Sequence, residues 1–327
     1  ALEGSVRLDK VTAPQRLADV LGDRAVAGND PCALPKACKN EAEIAGTAQA
    51  HLRDGAAMVE LLAWLDAQPP GSLTETQVVT RLEDCRRKDN ALQDISFETI
   101  SGTGPNGAIM HYRVSEETDS VLEDGHLLVL DSGGQYLDGT TDITRTIAVG
   151  APTKDQQQCF TRVLQGMIAI STARFPRGLA GRDLDALARA PLWRAGLDYD
   201  HGTGHGVGAY LSVHEGPQRL SRISDVKLEP GMILSNEPGY YRAGAFGIRI
   251  ENLIVVREAE KRGDNRDQLD FETLTFAPID RRLIGAELLA PWERDWLNAY
   301  HAEVAEKLAP RLSPDALDWL ARAVRPV

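Results

Sequence analysis

The sequence predicts an α+β fold, and three observations carry that prediction. Apolar residues recur at threes and fours across Asn40–Gln68, the period of an amphipathic helix. Short β-like runs follow and resume near Met232, and capping boxes mark the starts of the helical segments among them.

Ala1–Leu34 is mixed in character and ends in the turn-rich GNDPCALP, Gly28–Pro35, a boundary signal. Beyond it, Ile44, Ala48, Leu52, Ala56, Val59, Leu62 and Leu65 trace one face of a long helix. After Pro69–Gly71, Ser72 with Glu75 and Thr74 with Gln77 sit at capping-box spacing and open a second helix to about Arg87. Strands are predicted at Ser96–Ser101, Ala108–Val114, His126–Asp131 and Asp142–Val149. Thr153 and Gln156 cap a further helix bearing Phe160, Val163, Leu164, Met167 and Ile168, and Asp183–Gly196 is helical as well. Strands resume at Met232–Ser235, Phe246–Val256 and Phe271–Pro278. The end, Pro291–Val327, reads as two helices split near Pro310–Pro314, with Trp292, Trp296, Tyr300 and Leu308 on the first. The predicted organisation is therefore 1–34, 35–290 and 291–327.

A chain of 327 residues accommodates one large domain with appendages, or two domains. A net charge of -12 and a pI near 5.1 argue against nucleic acid, whose phosphates require a basic surface. Cys32, Cys38, Cys85 and Cys159 form no CxxC pair and are read as small buried hydrophobes. No window approaches the ~18 continuous apolar residues of a membrane span, and ALEGSVRLDK lacks a signal-peptide core. The expectation is a cytoplasmic protein with no membrane partner. The start at Ala1, in mid-pattern, suggests a piece of something longer.

The richest stretch is Leu127–Gly150, LLVLDSGGQYLDGTTDITRTIAVG, which offers Asp131 and Asp142 from a strand and its return strand. Downstream lie His205 in HGTGHGVG, Glu237 in SNEPGYY and Glu251 in GIRIEN. Four carboxylates and one imidazole can hold two cations, which in hydrolytic sites lie roughly 3.5–4 Å apart. Singly, His205 would be an ordinary interior histidine, and Glu237 and Glu251 ordinary surface acids. Their phase argues otherwise. Residues two apart on a strand share a face, so Arg249 and Glu251 point together. Glu237 and Glu251 also flank RAGA, Arg242–Ala245, symmetrically, and a hairpin centred on Gly244 sets them opposite each other. The aspartates are less tidy. A turn at Asp138–Gly139 pairs Gln135 with Asp142 and leaves Asp131 four residues away, about 13 Å along the strand. Either a loop centred near Tyr136–Leu137 or a bulge at Gly133–Gly134 must close that gap.

Three short patterns are decoys. GTGPNG, Gly102–Gly107, matches a dinucleotide fingerprint but leads into Pro105 and a β-like run rather than a helix. LDSGG at Leu130–Gly134 lacks the His–Asp support a nucleophilic serine needs. His201 and His205 have the spacing of a helical zinc pair, yet four glycines in that segment make it extended or looped.

The ordered set NGAIMHY, DSGGQYLDGTTDITRT, HGTGHGVGAYLSVHEGP, SNEPGYY and GIRIEN resembles the Xaa-Pro aminopeptidases (aminopeptidase P), in particular the long form, from about Pro35 onward. FETLTFAPID and WERDWLNAYH look like that form's tail. The resemblance implies a pita-bread fold: two pseudo-symmetric halves, a curved antiparallel sheet with flanking helices, and a C-terminal helical extension. It implies a dinuclear site in which Asp131 binds one metal, His205 and Glu237 the other, and Asp142 and Glu251 bridge. The metal implied is Mn²⁺, with Zn²⁺ or Co²⁺ possible occupants. His111, His201 and His214 match the family's substrate and catalytic histidines, which between them serve the proline-side pocket, leaving-group contacts and stabilisation of the tetrahedral intermediate; Arg249 matches an arginine behind the bridging carboxylates, and Tyr241 a partner in the same layer. Long forms also carry two upstream domains, of which Ala1–Leu34 would be a remnant.

The chemistry so implied is hydrolysis of the N-terminal Xaa-Pro bond by a metal-bridged hydroxide, with Glu237 shuttling the proton and His214 donating to the oxyanion. Prolidase, methionine aminopeptidase and a non-catalytic binding module are the rival readings; the long-form tail, HGTGHGVG and the complete ligand set weigh against them. The aromatic stripe on the first C-terminal helix and the resemblance together predict a homodimer, with capping of the sheet within one chain as the alternative.

Overall fold

Asn40 opens the 26-residue helix Glu41–Asp66 through reciprocal bonds, Glu43 N–H to Asn40 Oδ1 at 3.0 Å and Asn40 N–H to Glu43 Oε2 at 2.9 Å. The computed structural model describes residues 3–263 and 265–327. Met58, Leu61, Leu62 and Leu65 of that helix pack with Val78 and Leu82 of the helix Glu75–Arg87 onto Leu128, Leu130, Ile143 and Ile147. Those last four residues lie on a three-stranded antiparallel sheet ordered Ile100–Thr103, Leu127–Ser132, Ile143–Ala148.

The second half repeats the plan. Helices Lys154–Ser171 and Gly181–Trp193 pack together and lead into an antiparallel sheet ordered Ile233–Asn236, Asn252–Ala259, Gln268–Thr273, Phe175–Pro176. The halves meet where Glu251 N–H donates to Thr144 O at 3.1 Å and Arg249 N–H to Thr146 Oγ1 at 3.0 Å. These bonds place the end of one sheet against the end of the other and produce the curved surface.

Each half is built on one long hairpin with a gap in its ladder. From Leu127↔Ala148 to Tyr136↔Gly139 the pairing keeps one register, but it is interrupted between Ser132 and Gly134 and between Thr140 and Ile143. From Ile233↔Val255 to Arg242↔Phe246 it likewise holds one register, interrupted at Glu237–Pro238 and Ile250–Glu251. The second hairpin is centred on Gly244, as the placement of the glutamates predicts. The first turns at Leu137–Asp138, one residue before the predicted Asp138–Gly139. Gly139 is needed elsewhere: a Cβ there would lie 2.7 Å from Thr47 Cα of the long helix. Asp138 meanwhile is held by Arg53. Close helix–hairpin approach, not turn conformation, fixes this glycine.

Several predicted elements shift. Ser96–Ser101 is not one strand: residues 96–99 form the gap after Leu92–Ile95, and Ile100 and Ser101 begin the strand Ile100–Thr103. Ala108–Val114 is not a strand: a 3₁₀ turn, Gly104–Ala108, runs into a loop held by the Tyr112 hydroxyl, which donates to Glu75 Oε2 at 2.8 Å. The last strand is Gln268–Thr273, earlier than Phe271–Pro278. Cys85 and Cys159 are buried as predicted, but Cys32 is exposed. Before Leu34, the parallel strands Val6–Leu8 and Ala25–Ala27 enclose the helix Gln15–Leu21, a small βαβ unit that the sequence reading did not resolve. Among the described residues no helix is long and apolar enough to cross a membrane.

The C-terminal helices are Pro291–Leu308 and Pro314–Ala323. Their aromatic stripe turns inward. Tyr300 is buried and accepts from Arg145 Nη2 at 2.9 Å, Trp296 stacks on it with ring centroids 5.3 Å apart, and only Trp292, 51% exposed, faces out. Two of the three aromatics that suggested a dimer contact therefore cap the sheet of their own chain.

Candidate metal centre

Both ladder gaps carry carboxylates, and the meeting of the two halves brings them together. Asp131 lies opposite Thr144, two residues from Asp142 on the same face, so the register of the first hairpin closes the gap left between the two aspartates. The register of the second sets Glu237 across from Glu251, with Ile250 N–H donating to Pro238 O at 3.3 Å beside them.

His205 arrives on the segment HGTGHGVG. Gly204–His205 pairs antiparallel with Arg219–Leu220, and Gly206 bridges Leu234. The segment is extended, as its glycines predict. Gly204 is needed because a Cβ would lie 1.9 Å from Ser235 O. Arg189 on the preceding helix donates to His201 O at 2.7 Å, and Thr203 Oγ1 donates to Asp185 Oδ1 at 2.7 Å, fixing the start of the segment.

His205 Nδ1–H donates to Gly206 O at 2.9 Å, which leaves Nε2 as the lone-pair nitrogen. That nitrogen stands 3.4 Å from Asp142 Oδ2 and 3.4 Å from Glu237 Oε1. Asp142, His205 and Glu251 offer ligand atoms within 4.8 Å of one another. Acceptors crowd acceptors. Asp131 Oδ1, Asp142 Oδ1 and Glu251 Oε1 are buried and have no hydrogen-bond partner. Such groups are rare in native proteins and need an explanation, which a cation supplies. Burial, with Asp131 and Glu237 nearby, holds the Asp142 carboxyl well above the usual range, and burial with Asp142 does the same for Glu251. Burial also raises Glu237. The donor set thus fits divalent metal, with oxygen ligands in excess and one imidazole.

Arg249 is the counter-charge. Its Nη2 donates to Asp131 Oδ2 at 2.6 Å and its Nη1 to the Tyr241 hydroxyl at 2.6 Å. Burial opposes its charge, but Tyr241, Asp131 and Glu237 outweigh that and keep it protonated. The Tyr241 hydroxyl in turn donates to His201 Nε2 at 3.0 Å, while His201 Nδ1–H donates to Gly202 O at 2.7 Å. Burial, then Arg249, lowers the His201 pKa to about 3.

A cavity of ≈ 730 Å³ opens over these groups. The five donors form its floor, and His111, His201 and His214 stand around it. Tyr241 is outside that lining, behind His201 and Arg249. His111 is exposed on the loop after the Gly104–Ala108 turn. His214 is also exposed, with its ring centroid 4.2 Å from that of His205; desolvation by the wall, then His205, lowers its pKa to about 4.

Two supporting hydroxyls were absent from the sequence reading. Thr144 Oγ1 donates to Glu251 Oε2 at 2.7 Å, and Ser235 Oγ donates to Glu237 Oε1 at 2.9 Å while accepting from His205 N–H at 2.9 Å. Each lies two residues from a predicted ligand, Asp142 or Glu237, so strand periodicity contained the signal.

The chain was also compared with known proteins. Residues 45–258 match the model of metallopeptidase family M24, and residues 267–327 that of the C-terminal region of peptidase M24. Aminopeptidase P2 of Arabidopsis thaliana is 50% identical over 304 residues, 91% of this chain and 43% of that protein. An X-prolyl aminopeptidase from Caenorhabditis elegans, described as a cytosolic enzyme with a di-nuclear active site, superposes with a TM-score of 0.92 at 36% identity, over 99% of this chain and 54% of that one. An Xaa-Pro dipeptidase from Bacillus anthracis gives a TM-score of 0.71 at 29% identity, over 85% and 74%. The chain spans about half the length of the curated relatives it matches. The fold is the pita-bread fold, with its curled antiparallel sheet, flanking helices and helical C-terminal extension. Since the matched segment contains all four carboxylates and the imidazole gathered at the meeting of the two hairpins, this chain belongs to metallopeptidase family M24.

Proposed function

We propose that this chain is the catalytic part of an Xaa-Pro aminopeptidase, a dinuclear metal-dependent hydrolase that removes the first residue of peptides with proline second. The observation that carries the reading is the convergence of five donor side chains, three with orphaned buried oxygens, beneath three histidines in one cavity. Asp131 would hold one cation, His205 and Glu237 the other, and Asp142 and Glu251 both. So oxygen-rich a set suits Mn²⁺, with Zn²⁺ and Co²⁺ as alternatives. When bound, such a pair polarises a peptide carbonyl and acidifies water.

The chain's own groups do the rest. Glu237 has Oε1 tied to Ser235, so Oε2 is free to accept a proton from water and return it to the departing proline nitrogen. His214, neutral and facing the cavity, donates an N–H to the oxygen on which negative charge develops. His201 has both ring nitrogens engaged and acts as a fixed wall, bounding with His111 the space for the proline ring and the leaving group. The similarity to the plant aminopeptidase P2 and the nematode X-prolyl aminopeptidase supports this substrate class, and the nematode enzyme's description supports a cytosolic location.

Mass spectrometry of matched Xaa-Pro-Xaa, Xaa-Ala-Xaa and Xaa-Pro peptides incubated with the Mn²⁺-loaded chain tests the reading. Loss of the first residue from the proline tripeptide alone, or far faster than from its alanine counterpart, is the expected result. Equal cleavage of both tripeptides rejects proline selectivity. Cleavage of the dipeptide only makes the protein a prolidase, the reading that similarity to the Bacillus anthracis dipeptidase favours. No cleavage with metal bound makes it a binding module.

A further inference from the structure

We propose that the buried ion pair between Lys39 and Glu215 is the positioning device for His214, so that a lysine outside the family-matched stretch 45–258 sets how well the oxyanion is stabilised. The inference rests on the functional reading above for the role of His214, and on geometry alone for the role of the pair.

Lys39 Nζ lies 2.8 Å from Glu215 Oε1, with side chains 1% and 5% exposed. Glu215 directly follows His214 at a bend of the loop. Its carboxylate is buried against Lys39, while His214 is exposed on the cavity wall. The loop's base is held by backbone bonds, Glu215 N–H to Gly206 O at 2.8 Å and Gly206 N–H to Gln218 O at 3.1 Å. At its tip Tyr210 and Leu211 are exposed, with Gly208 N–H donating to Ser212 O at 3.0 Å and Leu211 O accepting from Gln135 Nε2 at 2.8 Å and Thr140 Oγ1 at 3.0 Å. Next to His214 itself, the carboxylate of Glu215 is the side-chain tie to the framework beneath.

That framework is rigid at the lysine end. Lys39 N–H donates to Gly231 O at 2.9 Å, and Cys38 bridges Met232. Ala37 is fully buried against the cluster containing Met232 and Leu234, and Asn40 caps the long helix. Lys36 also approaches Glu215, with Nζ 2.9 Å from Oε2, but its side chain is 49% exposed and water competes for it. Lys39 is the partner that water cannot replace. Without it, Glu215 keeps only the half-exposed Lys36, and a buried charge so poorly compensated is driven toward solvent. Movement of Glu215 carries His214 with it.

The test uses Lys39→Met in the metal-loaded chain, alone and combined with His214→Ala. In the His214 background, kcat should fall about ten- to a hundredfold with KM little changed, the scale of loss from a small misplacement near reacting atoms. In the His214→Ala background the second substitution should cost nothing further, and metal content should stay at the parent value. Hydrogen exchange of residues 206–216 should rise while that of 127–148 does not. Glu215→Gln, which keeps the shape and weakens the tie, should show the same pattern to a smaller degree, and it carries the test if Lys39→Met does not fold. An equal loss of kcat in both backgrounds, or unchanged exchange in the loop, overturns the proposal. If the parent chain cleaves no Xaa-Pro peptide, the functional reading fails, whereas the exchange measurement still decides whether the pair holds the loop.

Discussion

Arg249 Nη2 donates to Asp131 Oδ2 at 2.6 Å across 118 residues of sequence, while Asp131 Oδ1 stays buried and unpartnered. One cation side chain thus restrains a cluster of four carboxylates and leaves oxygen free for metal. Removing it should hurt the metal-free protein most. Arg249→Met is expected to destabilise that form by about 3–5 kcal/mol, the usual consequence of stripping one partner from a buried pair. The increase in Tm on adding Mn²⁺ should then be larger than in the parent, because bound cation replaces the missing charge. Calorimetry with and without Mn²⁺ checks this; an equal increase in both proteins means Arg249 does not share the electrostatic work with metal.

Stabilisation by metal should also depend on pH in a fixed direction. Asp142, Glu251 and Glu237 are raised in the folded metal-free chain, chiefly by burial. A raised folded pKa gives stability that is complete below the unfolded value, near 4, and lost as pH rises through the folded value. Metal-free protein therefore loses stability from this cluster toward neutral pH, where deprotonated carboxylates also bind cations best. The Mn²⁺-induced increase in Tm should grow between about pH 5 and pH 8, a window set by carboxylates held above their ordinary range. A flat difference across that window would mean these carboxylates are not the ligands.

How legible all this was depended on whether a contact was local. The Glu237–Glu251 relation was readable because both residues sit on one hairpin and symmetry about Gly244 sets its register. The Asp131–Asp142 relation was readable only in part, since Gly139 answers to Thr47 on a distant helix and not to its own turn. Ala108–Val114 looked like a strand by alternation, but Tyr112 is drawn in by Glu75, a tertiary contact that no window contains. The stripe of Trp296 and Tyr300 had helical period either way; whether it faces a second copy or its own sheet was decided by Arg145, which needs the Tyr300 hydroxyl as an acceptor. The five side chains that the two halves gather at the candidate site could be named from motifs, whereas Lys39 could not, because 176 residues separate it from the acid it holds.

His301 predicts acid sensitivity away from the metal centre. Fully buried, it accepts Ile279 N–H on Nε2 at 3.1 Å, and burial, then Arg145 and Arg281, lower its pKa to about 3. A lowered folded pKa leaves stability intact above the unfolded value and removes it as pH falls toward the folded one. Between roughly pH 6.5 and pH 3 this residue should cost about 1.4 kcal/mol per pH unit. Urea unfolding at pH 7, 5.5 and 4.5 should show a shallower slope in His301→Gln, which keeps an acceptor but cannot be charged. Parallel profiles would assign the acid loss to other groups.

Glu75 predicts the opposite kind of defect, in the loop that carries His111. Buried at the start of its helix, it accepts from Thr103 N–H at 2.7 Å, Asn106 Nδ2 at 3.0 Å, the Tyr112 hydroxyl at 2.8 Å and Ser120 N–H at 3.2 Å. These donors bracket His111, so one carboxylate closes the loop that carries it. Burial raises the Glu75 pKa even though all four donors favour the charged form. Glu75→Ala leaves those donors without their acceptor and should cost at least about 3 kcal/mol, since each orphaned buried group costs roughly 1–3 kcal/mol. Glu75→Gln retains one acceptor oxygen and should lose less. In the gentler variant KM for Xaa-Pro peptides should rise while kcat is nearly kept, because in the proposed function His111 bounds the substrate without touching the reacting proton. A fall in kcat at unchanged KM would instead place His111 in the chemical step.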